Sequence, residues 1–184
     1  MHVRRLEQEF GDRVRIRRRT SILRATPNPD ARFTELQVRG YRRARRHEPA
    51  TGIKAPRLGQ KYPTWSAPAL ETWLWAERYH PDREADVDWA LYREFFTRHA
   101  DISDVEVLAG IVTALGLPGE SLRRSLAAEE FRERVFADER EWRERGFTKI
   151  PSIEMDGRPA MEGVLTYEQY RRLVTGEADP TALA

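Results

Sequence analysis

The chain has 184 residues, enough to bury a real core as one domain without a metal or disulfide staple, and it contains no cysteine. Within these residues that excludes a disulfide scaffold, a thiolate zinc site, an iron–sulfur cluster and cysteine catalysis. Charged residues make up 34 %, no apolar run approaches the roughly 18 residues of a membrane span, and the net charge of +2 conceals a bipolar chain: 17 Lys/Arg against 6 Asp/Glu in residues 1–62, and 15 against 24 in residues 63–184.

In residues 3–10, Val3, Leu6 and Phe10 recur at helical spacing and Gly11 is the stop, which reads as the tail of an amphipathic helix without a beginning. Residues 13–23 then alternate, with Val14 and Ile16 on one side and Arg13, Arg15 and Arg17 on the other, the pattern of a strand with one buried face. Between Pro27 and Pro63 the signal is loop, a basic helix near 31–47, and loop again. The next eighty residues are helical. Ser66 with Pro68 opens a helix carrying Leu70, Trp73, Leu74 and Tyr79, and Val87, Leu91, Phe95 and Phe96 mark a second. Ser103 and Glu106 form a capping box for a third that ends at Gly116, and helices over 119–127 and 129–145 follow, closing at Gly146. After Gly146 the period changes to two short strands, 151–155 and 158–162, joined by an Asp156-Gly157 turn. Thr166 and Gln169 cap a last helix over 167–174.

A strand, an all-helical insert, a proline opening a hairpin and a closing helix is the order of an α/β thioredoxin-like fold with a helical insertion. Three stretches carry a more specific likeness: VRRLEQEFGDRVRIRRRT (3–20), FFTRHADISDVEVLAGIVTALGL (95–117) and GFTKIPSIEMDGRPAMEGVLTYEQYRRLV (146–174). They resemble the DsbA-like thioredoxin-fold dithiol–disulfide oxidoreductases and isomerases, in particular the FrnE-type branch. The third stretch holds the family's Gly-x-x-x-[Ile/Val]-Pro-[Ser/Thr] run at Gly146–Ser152. The resemblance implies a cis Ile150–Pro151 bond beside the active site and an extended substrate lying on the backbone just before it by strand addition. It therefore implies Ile150, Pro151, Lys149 and Thr148 as substrate-binding residues. It also implies a core of 1–64 and 146–176, with 65–145 as the insertion domain.

The departure is at the start. Family members carry a strand leading into Cys-x-x-Cys at the head of the first helix, and residues 3–10 match only the end of that helix, so the first strand is expected to be missing from this chain. Three accounts follow, in order of preference. The complete protein starts upstream of Met1 and is a dithiol–disulfide oxidoreductase; the chain is redox-inactive and is a protein-binding adaptor; or it is a relative of glutathione-dependent isomerases and transferases. No catalytic residue, cofactor or metal is expected in the residues given. The partner implied is a protein or small-thiol disulfide substrate, in the cytoplasm and not at a membrane, and an exposed strand edge invites a second copy, giving a homodimer.

Other patterns are weighed against this reading. His2, His47, His80 and His99 lack metal-ligand spacing. Asp82, Glu84, Asp86 and Asp88 alternate like the opening of a calcium loop but lack its later glycine and glutamate, and read as the acidic start of a helix. Trp65 and Trp75 fall off the apolar stripe that holds Trp73, and are read as lining a substrate groove beside the insert. Arg17, Arg18, Arg19, Arg42, Arg43, Arg45 and Arg46 could serve nucleic acid, but pairing of the basic third with the acidic remainder of the same chain is the expected outcome, so nucleic acid is not the expected partner.

Overall fold

The structure is a computed structural model that describes residues 2–47, 49–62, 65–155, 161–163 and 165–177. The chain divides into two compact units, one of residues 1–19 with 140–184 and one of residues 20–139. Residues 20–64, grouped by the sequence argument with the thioredoxin-like part, cluster instead with the helices.

The larger unit is helical. Helix α2 spans Glu35–His47, α3 Ala67–Tyr79, α4 Glu84–Arg93, α5 Val105–Ala114, α6 Gly119–Ala127, and α7, Arg132–Glu144, begins in it. Its main core joins Trp75, Ala76, Val87, Leu108, Val112, Leu122 and Leu126, and a second cluster joins Ile22, Trp73, Leu74 and Val135. Helix α3 is buried along nearly its whole circumference, from Ala67 to Ala76 except Leu70, so it has no single apolar stripe to read. After α4 the chain runs through a π-helical turn, Glu94–Arg98, ending at His99 in the left-handed region at φ 54°.

Three details differ from the sequence expectations. The cap of α5 is Asp104, whose carboxylate accepts from the Glu106 and Val107 amides, while Ser103 donates its hydroxyl to Asp101. An aspartate one residue nearer the helix takes the role because its side chain reaches both exposed amides. Residues 129–131 lie outside α7. Residues 13–23 form no strand among the described residues: Val14 has extended backbone (φ −130°, ψ 123°) and burial alternates with Arg13, Arg15 and Arg17 exposed, but no ladder partner is present. Alternation reports a half-buried extended segment, and only a neighbouring strand turns one into a sheet.

The smaller unit packs α1 (His2–Phe10) against α8 (Tyr167–Thr175), with Leu6, Phe10, Leu165 and Tyr170 buried and Val14, Ile16, Ile153 and Met161 around them. Glu9 ties the two helices together, accepting from the Tyr167 hydroxyl and from Arg171 Nε at 2.7 Å, while the Arg5 guanidinium lies 3.8 Å from the Tyr167 ring centre. Thr166 and Gln169 cap α8 reciprocally. An antiparallel pair, β1 (Ser152–Ile153) and β2 (Met161–Glu162), pairs Ser152 with Glu162 and Ile153 with Met161. The expected Asp156-Gly157 turn lies outside the described residues.

Candidate functional site

Helix α7 ends at Glu144, Gly146 follows in the left-handed region (φ 84°), and the chain then turns through Thr148, Lys149 and Ile150 into β1. The Ile150–Pro151 bond is cis. Pro151 lacks an N–H, and its carbonyl accepts from Gly163 N at 2.8 Å, which fastens the loop to the residue following β2.

The residues before the proline are held by one side chain. Glu162 Oε1 accepts from the main-chain N–H of Thr148 at 2.6 Å and of Lys149 at 3.1 Å, and the Thr148 hydroxyl lies 3.4 Å from Oε2. The Ser152 hydroxyl donates to the Lys149 carbonyl. These amides hold the Glu162 carboxyl below its ordinary range, because two N–H dipoles aimed at one oxygen favour the charged form. The pairing follows from register: Glu162 stands opposite Ser152, and its side chain reaches back along the partner segment.

Ile150 is different. Its side chain is 48 % exposed, and among the described residues neither its N–H nor its carbonyl has a hydrogen-bond partner. The four residues named from the sequence are therefore brought together in one loop but are not equivalent. Thr148 and Lys149 offer amides that are already engaged, Pro151 offers none, and of the four only Ile150 keeps both its main-chain donor and its acceptor open among the described residues. Glu162 was missed by sequence reasoning. Nothing local marks it, since its partners lie 13 and 14 residues away and only the hairpin register connects them.

In the helical unit Trp65 lies under the Arg132 guanidinium, 4.6 Å from its ring centre. Arg132 Nε donates to Glu71 Oε1 at 2.7 Å, and Glu71 is 1 % exposed. Burial pushes the Glu71 carboxyl up, and Arg132 works against that shift. Trp75 stands apart from this cluster. It is 0 % exposed in the main core, touching the His80 ring and walling a cavity of about 250 Å³ with Tyr79, Ser121, Arg124 and Glu130. Its ring presents no face to solvent, which differs from the groove-lining role expected of it. The acidic run at 82–88 opens α4, with Glu84 and Asp86 in the first turn. Among the described residues no three His, Asp or Glu side chains group as metal ligands, and no helix is long and apolar enough to cross a membrane.

Comparison with known proteins gives a consistent picture. The family model described as DSBA-like thioredoxin domain matches residues 48–175. No curated protein matches the chain. Among solved structures, a probable DsbA oxidoreductase from Streptomyces coelicolor superposes with a TM-score of 0.75 at 22 % identity, over 97 % of this chain and 84 % of that one. The cytosolic disulfide reductase DsbM from Pseudomonas aeruginosa does so with a TM-score of 0.58 at 18 % identity, over 96 % and 85 %.

Proposed function

Since the chain belongs to the DSBA-like thioredoxin-domain family, with its thioredoxin-like fold, mostly helical content and small sheet, we propose that it supplies the protein-docking edge of a FrnE-type thiol–disulfide oxidoreductase. The observation that carries this is Ile150: an exposed residue whose main-chain donor and acceptor have no hydrogen-bond partner among the described residues, next to a two-stranded ladder. Such an edge takes up an extended segment by adding a strand, with main-chain hydrogen bonds for affinity and side-chain contacts for selectivity. Glu162 keeps the preceding turn in place, so the partner meets an ordered loop.

These 184 residues carry out no thiol–disulfide exchange by themselves. The exchange needs a thiolate to attack a disulfide sulfur and form a mixed disulfide, and the sequence has no sulfur nucleophile. Any such thiolate has to come from outside them. The compartment this reading assigns is the cytoplasm, supported by the likeness to a reductase described as cytosolic.

Two assays on the 184-residue chain test the proposal. With dithiothreitol as reductant, insulin disulfides are expected to turn over no faster than in a blank, and turnover above the blank overturns the redox part. A labelled neutral peptide of alternating Val and Thr is expected to bind, and Ile150→Glu is expected to weaken it by about tenfold, roughly the loss of one apolar contact plus an unfavourable charge. Equal binding by that variant overturns the docking part.

A further inference from the structure

Helix α2 carries the most concentrated charge in the chain. Its sequence, ELQVRGYRRARRH, holds five arginines and one glutamate. At about 100° per residue, Arg39, Arg42, Arg43 and Arg46 fall within an arc of about 100°, over about 10 Å of helix length. Tyr41 lies roughly opposite, its ring packed against Phe33 and Phe96, and Val38, about 40° beyond Arg42, is buried at the edge of the arc. All five arginines, including Arg45, are exposed, and among the described residues none makes an ion pair or hydrogen bond. Among the described residues, the expectation that the basic third is neutralised by acids of the same chain is not met on this helix. On the flank of the arginine arc, three residues before Arg39, Leu36 is 74 % exposed.

We propose that this face of α2 is a docking surface for an acidic protein segment that carries an apolar side chain among its carboxylates. Four guanidinium groups at three- and four-residue spacing present planar forks that carboxylates engage two bonds at a time. Among the described residues no acid pairs with them, so the surface attracts an anionic partner at long range and gains ion pairs on contact. The chemistry of the flank selects among polyanions. A single nucleic-acid strand needs exposed aromatic rings to stack on, and the Tyr41 ring of this helix is packed against Phe33 and Phe96 instead. Leu36 offers what a phosphate backbone does not use, an apolar contact for a leucine-like side chain.

The test uses the full chain and three probes at 50 mM salt: a labelled peptide of Glu with two Leu, the neutral Val/Thr peptide, and a labelled single-stranded DNA. The acidic peptide is expected to bind more tightly than either other probe and to weaken as salt rises, because a shorter Debye length screens exposed pairs. Changing Arg42, Arg43 and Arg46 together to Glu is expected to weaken it by at least about tenfold, since three exposed ion pairs are lost and reversal adds repulsion. Leu36→Ser is expected to cost about threefold for the peptide and nothing for DNA. All five substituted positions are exposed, and R39Q/R43Q, which removes charge without reversing it, is expected to give a smaller loss in the same direction. Failure of the acidic peptide to bind, indifference to the triple change, or tighter binding of DNA overturns the proposal, the last by making the face a nucleic-acid site.

Discussion

The two units of the molecule are held together differently. The helical unit closes a core from side chains on α3 to α7, so burial is dense and most capping signals lie within four residues of what they cap, although Arg132 reaches Glu71 from 61 residues away. The smaller unit depends on pairings far apart in sequence: α1 with α8 through Glu9 and Arg171, β1 with β2, and Glu162 with Thr148 and Lys149. Among the described residues its buried cluster is Leu6, Phe10, Leu165 and Tyr170. The difference teaches where function can sit, because a loop with few buried contacts can keep a main-chain edge open, whereas the tightly closed helical core has no such edge to offer.

The comparison can be broken from its strongest side first. Trp75→Ala is expected to destabilise the helical unit by about 3–5 kcal/mol, read by urea unfolding followed by circular dichroism, because a fully buried indole leaves a cavity. A loss below about 1 kcal/mol would return Trp75 to a solvent-facing groove. Next, Arg132→Ala is expected to cost about 3 kcal/mol by leaving the Glu71 carboxylate buried without its cation, and adding Glu71→Gln is expected to restore much of that loss. Additive losses in the double variant would show that the two residues do not form a unit. In the smaller unit, Thr166→Ala removes the cap of α8 and is expected to cost about 1 kcal/mol in the same unfolding measurement.

The smallest effect is local and depends on pH. Glu162 is held below the ordinary carboxylate range by the Thr148 and Lys149 amides, so the order it imposes is fully present above that range and is lost as pH falls through its lowered value. Protection factors of the Thr148 and Lys149 amides are expected to fall across that window, and Glu162→Gln is expected to remove the pH step. A step that survives in the variant would assign the titration to another group.

Much of this contrast was legible in the sequence. The helices at 67–79, 105–114 and 119–127, the glycine stops at 116 and 146, and the capping box at Thr166 and Gln169 follow from patterns local to each element. The loop around Ile150 and Pro151 was legible through the family resemblance, in the run that leads into the hairpin. What was not legible is what the chain brings together from a distance. Glu71 reads as an ordinary surface acid until Arg132 is found beside it, 61 residues away. The stripe argument misplaced Trp75 because α3 is enclosed on nearly every side. Residues 13–23 alternate as a strand does, and whether such a segment pairs depends on a neighbour that its own sequence does not contain.

The central claim, that the chain main-chain edge at Ile150 receives an extended partner, is tested most directly at the Ile150 amide itself. Hydrogen exchange followed by NMR during titration with the neutral Val/Thr peptide is expected to slow at Ile150 and to leave Thr148 and Lys149, already engaged by Glu162, almost unchanged. Exchange at Ile150 that stays constant to saturation, or protection that appears at Thr148 and Lys149 instead, would contradict it.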